Sequence, residues 1–138
     1  MDKRYRSGFL EIQHTADWAL QIWAPDLSGL LIQAALGMNV LMGVAGNAIP
    51  RHTMMIDCPA PDPESALVGF LNEILFQMEE TGLIFDQYTL HLEGDRLRAE
   101  IQGSQMVSID KPIKAVTFHN LKILTSQRGL EATVVFDV

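Results

Sequence analysis

Three groups of anionic oxygens stand out in the chain as candidate metal ligands. They are the carboxylates of Asp17 and Asp137 and the main-chain carboxylate of Val138. Hard oxygen ligands of this kind suit calcium, magnesium or manganese rather than zinc or copper. Two anions at the end of a buried strand also need a counter-charge, and a bound cation would supply it. These three residues are therefore candidate ligands of a cation.

The same carboxylates could also be accommodated without a metal ion. A chain end is normally at the surface, where both carboxylates are solvated. Asp17 could instead cap a turn, and Asp137 could bond to the backbone. Lys114 precedes the next-to-last β-rich segment. Its ammonium group is the main alternative source of positive charge.

The remaining residue types support other chemistry only weakly. The four histidines, His14, His52, His91 and His119, are each isolated in their segments, so they lack the short ligand spacing of zinc sites. No serine lies in a G-x-S-x-G elbow, and the glycines form neither a phosphate loop nor a dinucleotide fingerprint. Cys58 has no activating neighbour in sequence. The sequence therefore gives no support for a serine, thiol or nucleotide-binding enzyme.

The candidate ligands lie at opposite ends of the chain, so strands must bring them together. Alternating residues predict strands over Gly8 to Gln13 and Trp18 to Ala24, with a break at residues 14–17. A break in paired backbone is a place where a side chain can turn toward a site. At the other end, β-branched residues over Ala115 to Leu124 and Leu130 to Phe136 flank a turn that ends at Gly129, which predicts a hairpin.

Two helices are predicted between these strands. Leu30 to Val44 is apolar on nearly all sides, which indicates a buried helix, with Asp26 or Ser28 as its N-cap. The second helix has Asp62 as its cap, Pro63 at its first position and Gly82 at its end. Further strands are expected at Ile49 to Asp57, Leu83 to Leu92 and Arg96 to Gln102, and residues 104–111 are expected to be irregular.

These elements predict an α+β fold. Their order is β-β-α-β-α-β-β-β-β, with two helices covering one side of a mostly antiparallel sheet. The length of 138 residues fits one domain over residues 1–138, with residues 1–7 flexible.

Composition limits the possible partners. The chain has 10 Lys and Arg against 17 Asp and Glu, a net charge of -7. Binding to a phosphate backbone depends on clustered cations, so we expect no direct contact with nucleic acid. One cysteine, no signal peptide and no membrane-spanning segment predict a cytoplasmic protein. The sequence does not indicate whether the protein associates with itself.

Four motifs, taken in order, give the chain a family resemblance. They are His14-Thr15-Ala16-Asp17 after the first strand, Phe70 to Leu75 in the second helix, Ile113 to His119, and the terminal Phe136-Asp137-Val138. Together they resemble the archease family over nearly the whole chain. The family usually carries tyrosine at the position of Phe118.

The resemblance implies an accessory protein of RNA splicing. Archeases activate the RtcB-type RNA ligase, which uses GTP and manganese, by promoting its guanylylation and its multiple turnover. They are not themselves nucleotidyl transferases. The family's metal site falls on Asp17, Asp137 and Val138, and calcium is its usual ion. His14, Lys114 and His119 are expected to shape the surface that meets the ligase.

Two functions of different classes compete with this role. A metal-dependent phosphoester hydrolase would use the carboxylates to activate water and would need no partner protein. A general chaperone-like module would bind unrelated clients through methionine-rich apolar surface. The first predicts turnover by the protein alone, and the second predicts activity that does not depend on Asp17.

Overall fold

A computed structural model describes residues 6–12 and 18–138. The elements, in chain order, are β1 (Gly8–Ile12), β2 (Trp18–Ala24), α1 (Leu27–Met42), β3 (Ala45–Gly46), β4 (His52–Pro59), α2 (Pro63–Thr81), β5 (Leu83–Glu93), β6 (Arg96–Ser108), β7 (Ala115–Thr117), β8 (Leu124–Ser126) and β9 (Gly129–Asp137). The α+β class is confirmed, with antiparallel strand pairing throughout the described part of the chain.

The strands form two sheets, whereas the sequence predicted one. The first has the order β1-β2-β9-β7, with β8 also paired to β9, and the second has the order β3-β6-β4, with β5 paired to β6. Helix α1 contacts β2 of the first sheet and β5 of the second, and α2 contacts β7 and β4. A helix that is apolar on nearly all sides needs cover from more than one direction, and the second sheet supplies it.

Helix α1 begins three residues earlier than predicted. Asp26 is the N-cap, and its carboxylate accepts a hydrogen bond of 2.7 Å from the amide of Gly29. The helix ends at Met42, and Gly43 follows in the left-handed conformation with φ of 62°. Its buried residues are Leu30, Leu31, Ala34, Ala35, Gly37, Met38 and Met42.

Helix α2 follows its sequence signals closely. The Asp62 carboxylate accepts a 2.7 Å hydrogen bond from the amide of Ser65, and Pro63 occupies the first helical position. Gly82 has a φ of 72° and ends the helix, with its amide donating to the carbonyl of Met78. The capping residues predicted from the sequence are confirmed.

Strand β6 continues to Ser108, so the prediction of irregular structure over residues 104–111 is wrong for its first five residues. Ser104 pairs with Ile84 of β5, and Met106 pairs with Gly46 of β3. The polar residues fit because Ser104 is small enough to be buried and Gln105 points to solvent. The polar residues here therefore do not mark the end of the strand.

The closing hairpin forms, but its first strand is divided. Strand β7 pairs with one end of β9 and β8 pairs with the other, and residues 118–123 separate them. Asn120 has a positive φ of 52°, which a strand does not allow. The carboxylate of Glu64, on α2, accepts a 3.0 Å hydrogen bond from the amide of Ile123. That bond holds the intervening turn against the helix.

Candidate functional site at the end of the last strand

Strand β9 lies between β2 and β7, and this order sets the surroundings of the candidate metal ligands. Trp18 of β2 pairs with Phe136, and Ala115 of β7 pairs with Asp137. The amide of Lys114 donates a 2.8 Å hydrogen bond to the carbonyl of Asp137. The end of β9 is therefore held on both sides, and Lys114 is beside it.

The two described ligand candidates differ in exposure. Asp137 is exposed, whereas Val138 is half-buried and packs against the core. In the part of the chain that the structure describes, the ion pairs are Arg51 with Asp86 and Arg96 with Asp57, so Asp137 takes part in none. Its carboxylate is open to solvent and to a ligand.

The alternative in which Lys114 supplies the counter-charge gains no support from the described residues. Between described residues, it forms no ion pair with Asp137 or with the main-chain carboxylate of Val138. Its backbone is bonded to Asp137, but its side chain lines a cavity beside α2.

Asp17 and His14 lie outside the described residues, so their predicted roles stay predictions. Asp17 is bonded to Trp18, the residue that pairs with Phe136. Over residues 6–12 and 18–138, histidine, cysteine, aspartate and glutamate form no group of three or more that could hold a metal ion. A site at this corner therefore depends on Asp17 and on the main-chain carboxylate. These are hard anionic donors, which fit a calcium-type ion.

His119 lies beyond the end of β7. Its exposed ring is 3.2 Å from the side-chain nitrogen of Asn120, and its amide donates to the Thr117 hydroxyl at 3.3 Å. Lys114 and His119 do not lie on one regular strand, because the strand starts at Ala115 and ends at Thr117. The two residues instead flank the short strand β7.

Asn72 is a positioning residue whose role the sequence did not reveal, although it lies in the Phe70 to Leu75 motif of α2. Its amide nitrogen donates to the carbonyl of Val116 at 3.1 Å, and its oxygen accepts from the amide of Val116 at 2.8 Å. The side chain thus occupies the place of a neighbouring strand at the free edge of β7. The structure shows that Asn72 is half-buried, which the sequence, with Glu73 directly after it, did not indicate.

Lys111 also lies near this end of the sheet. Its ammonium group is 4.3 Å from the centre of the Trp18 ring, the geometry of a cation–π contact. Its amide donates to the carbonyl of Met42 at 3.1 Å, which fixes the loop to the end of α1. Positive charge is therefore held beside the residue that follows Asp17.

Half-buried Tyr88 and buried Cys58 each have a shifted pKa. Burial is the largest cause that raises the pKa of the Tyr88 hydroxyl, and Asp86 adds to it, whereas Asn39 opposes it. Burial also raises the pKa of the Cys58 thiol, with contributions from Glu73 and Asp57. A protonated, buried thiol is unreactive, which agrees with the absence of thiol chemistry in the sequence.

Comparison with known proteins identifies the family. The model of the archease protein family matches residues 9–138. Protein archease of Methanopyrus kandleri is 31% identical over 136 residues, covering 93% of this chain and 97% of that protein. Protein archease of Archaeoglobus fulgidus is 28% identical over 135 residues, covering 92% and 96%.

Two solved structures share the fold. The crystal structure of an archease from Thermotoga maritima, described as a possible chaperone, has a TM-score of 0.70 and 25% identity, covering 92% of this chain and 94% of that one. The solution structure of a Methanobacterium thermoautotrophicum protein has a TM-score of 0.69 and 25% identity, covering 95% and 99%. Within the described residues, no helix has the length and apolar character needed to cross a membrane.

The match to the family model and the similarity to these relatives show that the chain belongs to the archease family.

Proposed function

We propose that this archease is a non-catalytic activator of a GTP-dependent RNA-splicing ligase. It promotes guanylylation of the ligase and allows the ligase to turn over repeatedly. The observation that carries the proposal is the pairing of β9 with both β2 and β7. This pairing places exposed Asp137 beside Lys114, with Trp18, the residue after Asp17, paired to Phe136.

The proposed metal ligands are Asp17, Asp137 and the main-chain carboxylate of Val138. Calcium is the proposed ion, with magnesium and manganese as alternatives, because all three accept hard anionic oxygens. When bound, the ion supplies positive charge that offsets the repulsion between these carboxylates. It would also connect the segment before β2 to the end of β9, and so keep this corner in one shape.

The surface charge supports action on a protein rather than on RNA. The net charge of -7 disfavours a direct grip on a phosphate backbone. A ligase whose RNA cleft is positively charged would attract an anionic protein and speed their encounter. Lys114 and His119 are exposed, and together with His14 they form the proposed partner-facing surface.

A guanylylation assay tests the proposal. Purified cognate ligase is incubated with GTP and manganese, with and without this protein, and covalently bound GMP is measured over time. We expect a faster and more complete reaction when the protein is present. An unchanged rate and extent would contradict the proposal.

The same preparation separates the alternatives. The chaperone alternative is favoured by the description of the Thermotoga maritima relative as a possible chaperone. It predicts suppression of aggregation of an unrelated client such as heated citrate synthase. The hydrolase alternative predicts release of phosphate or alcohol from a phosphoester by the protein alone. Stimulation of the ligase without either activity is the expected pattern.

A further inference from the structure

A groove beside α2 opens next to Lys114 and the end of β9. We call the proposed metal ligands, Asp17, Asp137 and the main-chain carboxylate of Val138, the carboxylate corner. The groove has a volume of about 540 Å³, which is within the usual range for ligand sites. Its walls are mostly apolar, with a lysine and a glutamate at the rim. The lining residues are Met42, Asn72, Leu75, Phe76, Met78, Glu79, Met106, Ile109, Pro112, Ile113 and Lys114.

Backbone hydrogen bonds hold the two walls of the groove at fixed points. The amide of Met106 donates to the carbonyl of Gly82 at 2.9 Å, at the end of α2. At the other end, Val116 is bonded to Asn72. The chain between these points runs alongside α2, and the amide of Asp110 donates to the carbonyl of Met42 at 2.9 Å. The groove is thus a built feature with a rigid frame.

One face of α2 forms a wall of the groove. Asn72, Leu75, Phe76 and Glu79 have the spacing i, i+3, i+4, i+7, so they lie on one side of the helix. They span about 10 Å at 1.5 Å per residue. Phe76 is 53% exposed although it is a large aromatic side chain. An exposed aromatic residue at the mouth of an apolar groove is typical of a binding anchor.

Opposite charges stand at the rim. Lys114 is exposed near the Asn72 end, and it forms no ion pair with another described residue. Glu79 is exposed in the later part of α2, and the last turn of that helix contains no basic residue to balance it. An occupant with an apolar centre and a carboxylate at the Lys114 end would match this charge pattern.

Methionines make the groove adaptable. Met42, Met78 and Met106 contribute flexible thioether side chains to its lining. Such side chains adjust to the shape of an inserted apolar residue, and they are common where proteins bind peptide segments. This favours a protein segment as the occupant, because flexible methionine side chains can repack around its apolar residues.

We infer that this groove docks an apolar segment of the partner ligase, and that a carboxylate of this segment pairs with Lys114. The inference rests on the proposed function, since the ligase is the partner named there. The backbone of Lys114 is bonded to Asp137, so a segment in the groove would hold the ligase against the carboxylate corner. Contacts in the groove supply the binding affinity, and the carboxylate corner contacts the ligase next to the groove.

Binding measurements with matched variants test the inference. The dissociation constant of the purified ligase is measured for the wild type, Phe76→Lys and Val40→Lys. Val40 is 65% exposed on α1 and does not line the groove. Val40→Lys is therefore the control, because it places a lysine at another exposed helical position. We expect Phe76→Lys to weaken binding about tenfold or more, as loss of a central anchor does. Val40→Lys should bind as the wild type does.

A second pair of variants keeps the test independent of the first. Lys114→Glu should weaken binding, whereas Arg98→Glu, an exposed residue on β6 with the same change of net charge, should not. Circular dichroism and thermal unfolding confirm that each variant is folded. If Phe76→Lys binds as tightly as the wild type, the groove is not the docking site, and if Lys114→Glu does, the pairing of a ligase carboxylate with Lys114 is wrong.

Photo-crosslinking identifies the occupant directly. A benzoylphenylalanine placed at position 76 is irradiated in the complex with the ligase, and the crosslinked peptide is sequenced. We expect one ligase segment that contains apolar residues next to an Asp or Glu. Crosslinks to a second copy of this protein, or scattered over the ligase surface, would overturn the inference.

The outcomes separate this inference from the proposed function. If the wild type stimulates guanylylation but Phe76→Lys binds and stimulates equally, the groove is not the docking site and the proposed function stands. If the wild type neither binds the ligase nor stimulates it, the proposed function fails, and the docking inference fails with it.

Discussion

Asn72 on α2 and Val116 on β7 form a two-point pair, with hydrogen bonds of 3.1 and 2.8 Å in opposite directions. The other edge of β7 is paired to β9, so the asparagine completes the pairing of a strand that is only three residues long. This contact connects the helix that lines the groove to the strand that follows Lys114.

Removal of the Asn72 amide should therefore destabilise the fold. In Asn72→Ala the amide and carbonyl of the buried Val116 lose their partners, and each unsatisfied group costs about 1–3 kcal/mol. We expect the free energy of unfolding in urea to fall by about 2–6 kcal/mol for the two groups together. Gln77→Ala in the same helix is the control, because the Gln77 amide bonds only to the nearby Glu73 side chain. Equal, small losses in both variants would contradict the prediction.

Tyr88 should make stability depend on alkaline pH. Its hydroxyl donates to the carbonyl of Phe85 at 2.5 Å, and burial raises its pKa above the ordinary value. The unfolded phenol loses its proton near pH 10, whereas the folded one keeps it, so the free energy of unfolding should fall by about 1.4 kcal/mol per pH unit above that point. Below pH 10 the contribution of Tyr88 is fully present.

Tyr88→Phe tests this dependence. The variant has no phenol to ionise. Its free energy of unfolding, measured with urea between pH 9 and 11, should therefore lack the decrease that Tyr88 causes. The raised pKa of the Cys58 thiol gives a second fall that starts near pH 9, which both proteins share. The difference in stability between the two proteins should therefore shrink as the pH rises past 10. A constant difference over the range would show that Tyr88 is not the cause.

Calcium should stabilise the wild type against heat. An ion that binds only the folded state adds about 2.7 kcal/mol at a concentration one hundred times its dissociation constant. Asp137→Asn should remove most of this gain, because the amide is neutral and a poorer ligand. Asp95→Asn, at an exposed turn position, is the control and should respond as the wild type does. The measurement is the melting temperature with calcium and with a chelator.

Local signals in the sequence predicted α2 well, because its determinants are close together. Asp62, Pro63 and Gly82 act within one turn of the residues that they cap. The division between β7 and β8 depends instead on Glu64, which is 59 positions from its partner Ile123. No local pattern reveals that contact, so the sequence predicted a single strand there.

The position of Asp137 at the end of β9 was predictable from the sequence, whereas its surroundings were not. Asp137 ends β9 as expected, because the alternation of the last strand is strong. The placement of Lys114 along the groove, and of Lys111 over the Trp18 ring, follows from how the loop folds back onto α1. Charge alone left open whether Lys114 or a metal ion would balance the terminal carboxylates. The geometry of the loop directs its side chain to the groove.

The most direct test of the central claim is the guanylylation rate of the cognate ligase with Asp17→Ala, Asp137→Ala and the control Asp95→Ala, each shown to be folded. If the carboxylate corner acts on the ligase, the first two variants lose stimulation and the control keeps it. Full stimulation by Asp17→Ala and Asp137→Ala would contradict the claim.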